Sequence, residues 1–304
     1  MNAVRQENPC RFFDIGKSES SIDFDSLIPQ NVVNGNTFDT ADDVQERDAG
    51  VDALPEHMFN EVLENLLARK KYMYTLMLVC QANLGLRFSD ISQFKLNQFI
   101  GADGKFREHI YWAEKKTSKK RLCLINDSIK AALIIFMRNV NISIDEPLFW
   151  SGYDADSRNA GYVKKQHIDD NGKSKAVRIN GKYVYETDEN GNKIKEKLTL
   201  SPYAKTLKKT LADCGYSADL DCKKIRIASH SLRKAYAEKF SDTAYNMKQN
   251  GEIKFDSDIQ KLVQLDMMHS QEQTTLRYCK EFDRTKEQVC QHINLGLEIL
   301  KEWI

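Results

Sequence analysis

Six side chains in this 304-residue chain have the types and local settings that suit chemistry on an anion. Arg87 lies in Gly85-Leu86-Arg87-Phe88-Ser89-Asp90, between an apolar run and a polar turn, so backbone on both sides fixes where its guanidinium starts. His230 and Arg233 stand at i and i+3 in His230-Ser231-Leu232-Arg233, one face of a helix, where both can address a single anion. Lys116 belongs to the basic run Lys115-Lys116-Thr117-Ser118-Lys119-Lys120. His269 is followed nine residues later by Tyr278, whose hydroxyl is a potential nucleophile. Each has an ordinary reading when taken alone: an arginine over a helix end, a solvated turn, a core histidine, a tyrosine with a satisfied hydroxyl. Their order along the chain carries the signal.

Arginine, lysine, His-x-x-Arg, histidine, then a tyrosine nine residues on: this series resembles the tyrosine recombinase (phage integrase) family. The matching stretches are Leu84-Gly85-Leu86-Arg87-Phe88-Ser89-Asp90, Lys115-Lys116-Thr117, His230-Ser231-Leu232-Arg233-Lys234-Ala235-Tyr236-Ala237, Met267-Met268-His269-Ser270 and Thr274-Thr275-Leu276-Arg277-Tyr278. The resemblance spans about residues 54–304, the family's catalytic domain. It implies a site-specific recombinase that cleaves and rejoins double-stranded DNA through a 3′-phosphotyrosyl intermediate formed by Tyr278. Arg87 and Arg233 would clamp the non-bridging phosphate oxygens, His230 would take or relay the tyrosine proton, and His269 would hydrogen-bond the phosphate. Lys116 would protonate the leaving 5′-oxygen, with Lys115 as the alternative because the hairpin register is open by one residue. The physical demand fits this set. A phenol is about three units, or roughly 4 kcal/mol, from phenolate at neutral pH, and charge gathering on the phosphate calls for bidentate cationic donors. No cofactor and no metal are expected. The competing readings are a type IB topoisomerase, which uses a similar set to relax DNA as a monomer, and a DNA-binding regulator that keeps the fold without the activity.

The elements that must position these residues are mainly helical. Pro55 and Glu56 open an amphipathic helix carrying Phe59, Val62, Leu63, Leu66 and Leu67. Tyr72 to Leu84 is apolar nearly all round and reads as a buried helix stopped by Gly85. Ser89 and Asp90 are expected to cap a short helix running to about Phe94. Residues 106–126 alternate like a β-hairpin with a basic tip, and helical spacing resumes from Ile129 to Val140. Between 153 and 199, Asn-Gly pairs at 171–172, 180–181 and 190–191 predict an antiparallel meander inserted into the catalytic domain. Further helices are expected at about 202–214, 230–248, 257–268 and 284–303. The fold class is therefore α+β: a mostly helical tyrosine-recombinase catalytic domain with a small antiparallel hairpin and an inserted β-meander.

Departures from the family pattern are three. Met268 stands where a glycine commonly precedes the second histidine. The stretch from Arg87 to His230 is long, the meander making up the excess. Residues 1–53, polar, acidic and loop-like, stand where many members carry a helical core-binding domain; a minimal single-domain member is expected, with a truncated or diverged one as the alternative. The stripe Ile293, Leu297, Leu300 and Ile304 leaves two options. Docked on a neighbouring subunit, it would build a homo-oligomer, a tetramer on synapsed DNA, through the C-terminal helix; packed in cis, it would be part of the core.

Taken whole, the charge argues against a DNA partner, at 45 Lys+Arg against 44 Asp+Glu. Splitting the chain reverses this. Residues 1–57 hold four basic and twelve acidic side chains, leaving +9 on the remainder, a basic body with an acidic leader. Apolar content of 41% and charged content of 29% exclude a disordered chain, and no apolar run approaches a membrane span. Seven scattered cysteines without a Cys-x-x-Cys pair, and no apolar leader, point to reduced thiols in a cytoplasmic protein.

Overall fold

A helix that is apolar on every face has to be surrounded, and the fold is arranged around one. The structure is a computed structural model; it describes residues 22–27, 52–113, 120–153, 161–169, 172–216, 227–252, 262–263, 266 and 280–304, with backbone alone at 151 and 280–285. Its elements are α1 (Glu56–Ala68), α2 (Tyr72–Leu84), α3 (Phe88–Ile91), β1 (His109–Ala113), β2 (Lys120–Leu124), α4 (Asp127–Asn139), β3 (Gln166–Ile168), β4 (Ser174–Ala176), β5 (Arg178–Ile179), β6 (Lys182–Tyr183), α5 (Leu200–Asp213), α6 (Ser229–Gln249), α7 (Lys280–His292) and α8 (Leu297–Lys301). Helices with small two-stranded antiparallel sheets make it an α+β arrangement. No described helix is long and apolar enough to cross a membrane.

Helix α2 packs against α1, α3, α4 and α6, and Met73 through Leu84 are buried save Tyr74. Its few polar side chains are all engaged: Thr75 donates to the Lys71 carbonyl, Gln81 to Ser229, and Asn83 to Val79 and Leu295. The main core gathers the inner faces of α1, α2, α4 and α5 with Phe94, Phe99 and Phe149. A second cluster joins α6 to α7 through Tyr236, Phe240, Ala244, Met247, Val289 and Ile293. Of the acidic leader, the described 22–27 piece lies on the body: Phe24 is buried and Asp25 accepts from the Phe106 N–H at 2.8 Å.

Strands β1 and β2 pair from His109 opposite Leu124 to Ala113 opposite Lys120, so the hairpin is as the alternation predicted. The meander is present as antiparallel strands, with β3 on β4 and β5 on β6. At Asn180 and Gly181 both φ angles are positive (51° and 77°), the backbone a type I′ hairpin turn demands.

Two expected elements differ. Ser89 and Asp90 do not cap the short helix: Arg87 holds the cap position, its carbonyl accepting from the Asp90 and Ile91 N–H groups. The expected helix at 284–303 is two helices, α7 and α8, broken at residues 293–296 where Gly296 has φ +78°. A Cβ on Gly296 would lie 2.5 Å from Leu63, so the break also permits close approach to α1.

The same segment settles where the C-terminal stripe goes. Ile293 and Leu300 are fully buried within the chain, and Leu297 and Ile304 pack on the main core. Asn83 accepts from the Leu295 N–H (3.0 Å) and donates to its carbonyl (3.2 Å), while Asn126 donates to Asn83 and to the Ile293 carbonyl. Of the two options, the stripe takes the second: its apolar face is covered in cis, as part of the core. Deleting residues 291–304 should therefore cost the fold, read as loss of the cooperative thermal transition. A truncated chain that melts like the full one would overturn this.

Candidate active site

The turn after α2 and the first turn of α6 meet, and the site residues described by the structure lie at that junction. Helix α2 ends on Gly85 in the left-handed region (φ +60°), where its N–H bonds back to Gln81. Leu86 and Phe88 are buried on either side of half-buried Arg87, and Phe88 stacks on Tyr203 at 5.1 Å. Arg87 is thus held by two buried neighbours and by its own carbonyl inside α3. Asp90, one turn on, accepts from the Trp112 indole at 3.2 Å. Trp112 also packs edge-on against Phe94 at 4.8 Å. This fastens the Arg87 helix to the far end of the β1–β2 hairpin, where Trp112 faces Arg121, a few residues in sequence before Lys115 and Lys116.

Helix α6 brings the second arginine. Its start is fixed by the Ser231 hydroxyl, which accepts from the Ala228 N–H at 3.0 Å, and by the Ser231 carbonyl, which accepts from Leu54. His230 is half-buried in this turn. Arg233 is 5% exposed and its Nη1 donates to the Gly85 carbonyl at 2.6 Å. That carbonyl belongs to the C-terminal end of α2, where the helix dipole favours a cation. Arg233 is therefore anchored two residues before Arg87 in the chain. The structure brings Arg87, His230 and Arg233 to one junction; Lys115, Lys116, His269 and Tyr278 lie outside the described residues.

Beneath the junction is a buried ionic cluster that the sequence reading did not single out. Arg121 of β2 donates to the same Gly85 carbonyl (3.3 Å) and, through Nη2, to Asp266 (2.6 Å). Asp266 also accepts from the Tyr236 hydroxyl at 2.8 Å and pairs with Lys286 of α7 at 2.8 Å. Lys286 donates in addition to the Leu122 carbonyl. Burial by itself would raise the Asp266 pKa, but the charges of Arg121 and Lys286, with hydrogen bonds from Lys286 and Tyr236, hold it down to about 2. Desolvation works against charge on Lys286 too, and Asp266 outweighs it and raises that pKa. The Tyr236 hydroxyl is raised well above its ordinary value by burial and by Asp266, so it is a hydrogen-bond donor here and not an acid.

Position gives this cluster its importance. Arg121 follows Lys116 by five residues, Asp266 precedes His269 by three, Lys286 follows Tyr278 by eight, and Tyr236 is one turn beyond Arg233. One buried carboxylate ties together β2, α6 and α7, and through Arg121 it reaches the Gly85 carbonyl. The Tyr236 ring also lies against Gly85: a Cβ there would be 2.3 Å from Cδ1, so glycine is required for contact as well as for its positive φ. Four cysteines among the described residues, Cys80, Cys123, Cys214 and Cys290, are free thiols.

No protein-family model and no curated protein sequence matches the chain.

Proposed function

We propose that the chain is a site-specific DNA recombinase acting through a covalent phosphotyrosyl intermediate. One observation carries most weight. Two arginines 146 positions apart in sequence converge on one turn, Arg233 being bonded to the Gly85 carbonyl two residues before Arg87, with His230 in the same helical turn as Arg233. Paired guanidiniums suit the non-bridging oxygens of a phosphodiester, since each offers a rigid fork of donors.

In the reaction, the Tyr278 hydroxyl oxygen attacks the phosphorus and gives its proton to His230. The bond from phosphorus to the 5′-oxygen breaks, and that oxygen takes a proton from Lys116 or Lys115. Arg87, Arg233 and His269 hold the negative charge of the transition state. The 3′-phosphotyrosyl bond conserves the ester's energy, so a second 5′-hydroxyl can reverse the step on another strand without a nucleotide cofactor. Assembly into a tetramer on synapsed DNA would then use surfaces other than the C-terminal stripe.

The test is a library of nicked suicide duplexes with randomised arms, incubated with protein in the presence of EDTA and resolved under denaturing conditions. A denaturant-stable protein–DNA adduct should form with the wild type and be absent with Tyr278→Phe. No adduct from the whole library would remove the recombinase reading. Relaxation of any supercoiled plasmid at high efficiency would favour the topoisomerase instead.

A further inference from the structure

The inserted meander sorts its charges. Residues directly opposite in an antiparallel pair project from the same face, and the pairs here are Tyr162 with Lys195, Lys164 with Tyr185, Thr187 with Lys193, and Arg178 with Tyr183. With a side-chain period of two, these pairs define one face bearing Lys164, Arg178, Lys193 and Lys195 among Tyr162, Tyr183 and Tyr185. The same period sends Glu186 and Glu196 to the other side. Of the remaining described carboxylates, Asp169 pairs with Lys175 at 2.8 Å, Asp188 accepts from the Asn190 and Asn192 N–H groups of its own turn, and Glu189 is exposed in that same turn, beyond the last cross-strand pair of Thr187 with Lys193. Up to the Thr187–Lys193 pair, the near balance of charge thus conceals a face carrying cations and no carboxylate among its described residues, with Glu189 at the turn beyond it.

The cations are held in place by rings. Lys193 lies 4.7 Å over Tyr185 and 5.4 Å over Tyr162, Lys164 lies 4.6 Å over Tyr183, and Arg178 lies 4.2 Å over the same ring. An aromatic partner orients a cation and leaves its charge intact, whereas a carboxylate would cancel it. Among the described residues, only Lys195, at the base, has an acidic partner, Glu146 at 2.7 Å. The rings form a line back to the body: Tyr185, Tyr162, Trp150, Tyr153 and the buried Phe136, with successive centroids 5.0–5.7 Å apart. The face is therefore joined to the core by packed rings.

We infer that this face, through Lys164, Arg178 and Lys193, binds the phosphate backbone of double-stranded DNA flanking the cleavage site. The inference rests on the proposed DNA-directed function and extends it to a second contact surface. Charge complementarity selects the partner. Duplex over single strand follows from the rings: Tyr162 and Tyr185 are half-buried against each other with Lys193 over both, leaving Tyr183 as the exposed one, so bases have no stacked platform to join.

The experiment uses the full chain and a labelled mixed-sequence duplex, with binding followed by fluorescence anisotropy across a salt series. Lys164→Gln/Arg178→Gln/Lys193→Gln should weaken binding about tenfold or more and flatten the log–log salt slope by about 2–3, close to one unit per lost phosphate contact. The control Lys165→Gln/Lys173→Gln/Lys182→Gln makes the same change in net charge on the other face or its turn, and should bind within about twofold of wild type. Equal weakening by both triples would mean bulk charge and overturn the inference, as would no weakening by the first. Should the first triple fold poorly, acetylation footprinting of the wild type decides: duplex should protect Lys164 and Lys193 but not Lys165 and Lys182. Preferential loss of oligo(dT) binding would overturn the duplex assignment. A wild type with no affinity for duplex at all would sink the recombinase reading itself, whereas unchanged affinity of the triple sinks this inference alone.

Discussion

Asp266→Asn should lower the thermal midpoint by roughly 10 °C, the largest stability effect expected of any single charge in this chain. The carboxylate is fully buried and faces two cations, Arg121, buried with it, and Lys286, whose side chain is 16% exposed. Neutralising it leaves both without their counter-charge, and breaking a buried pair in this way costs about 3–5 kcal/mol. The pH dependence has a definite sign. The folded pKa, held down to about 2, lies below the unfolded value of 3.8. As pH falls, the unfolded chain takes up the proton first. The contribution, roughly 2 kcal/mol, is thus complete above about pH 4 and disappears as pH drops through about 2. Urea unfolding of wild type and Asp266→Asn at pH 6 and pH 2.5 checks this. The gap in stability should be wide at pH 6 and shrink at pH 2.5; a gap independent of pH, or no gap, would show that the cluster does not hold this charge.

Arg233→Lys should reduce phosphotyrosyl adduct formation by at least about 100-fold while leaving the fold in place. An ionic hydrogen bond is worth about 1.5–3 kcal/mol, and exchanging a forked guanidinium for a point charge forfeits at least one to the phosphate, with orientation lost as well. The fold has a reason to survive: the Gly85 carbonyl keeps Arg121 as a donor when Arg233 no longer reaches it. The measurement is the adduct yield per unit time on the suicide duplex, beside a thermal melt. Activity within tenfold of wild type would remove Arg233 from the phosphate site, and unfolding would assign it to structure alone.

Local physics explains which parts of this arrangement were legible in the sequence. Tyr72 to Leu84 reads as a buried helix because it is apolar on all sides and stops at a glycine. Asn180-Gly181 reads as a hairpin because few other pairs accept two positive φ angles. Arg87, His230 and Arg233 carry their meaning in their spacing. The ionic cluster was not legible, because its terms lie far apart. In Arg121-Leu122-Cys123 the arginine is buried and Leu122 is 38% exposed, the reverse of what hydropathy expects. The inversion is stabilised by Asp266, 145 residues later. The C-terminal break was hidden for a similar reason. Gly296 alone is weak evidence against a helix, and the asparagines that fix the break, Asn83 and Asn126, come from α2 and the start of α4. Asp90 had the type and position of a cap, but the Trp112 indole claimed it.

The shared carbonyl at Gly85 also restricts how the gene can vary in length. A helix turns about 100° per residue. One codon gained or lost within α2 would swing that oxygen away from both Arg121 and Arg233 and carry Arg87 with it. Related chains should therefore keep the spacing between the start of α2 and Arg87 unchanged, while the hairpin turns of the meander, remote from that carbonyl, are free to lengthen or shorten.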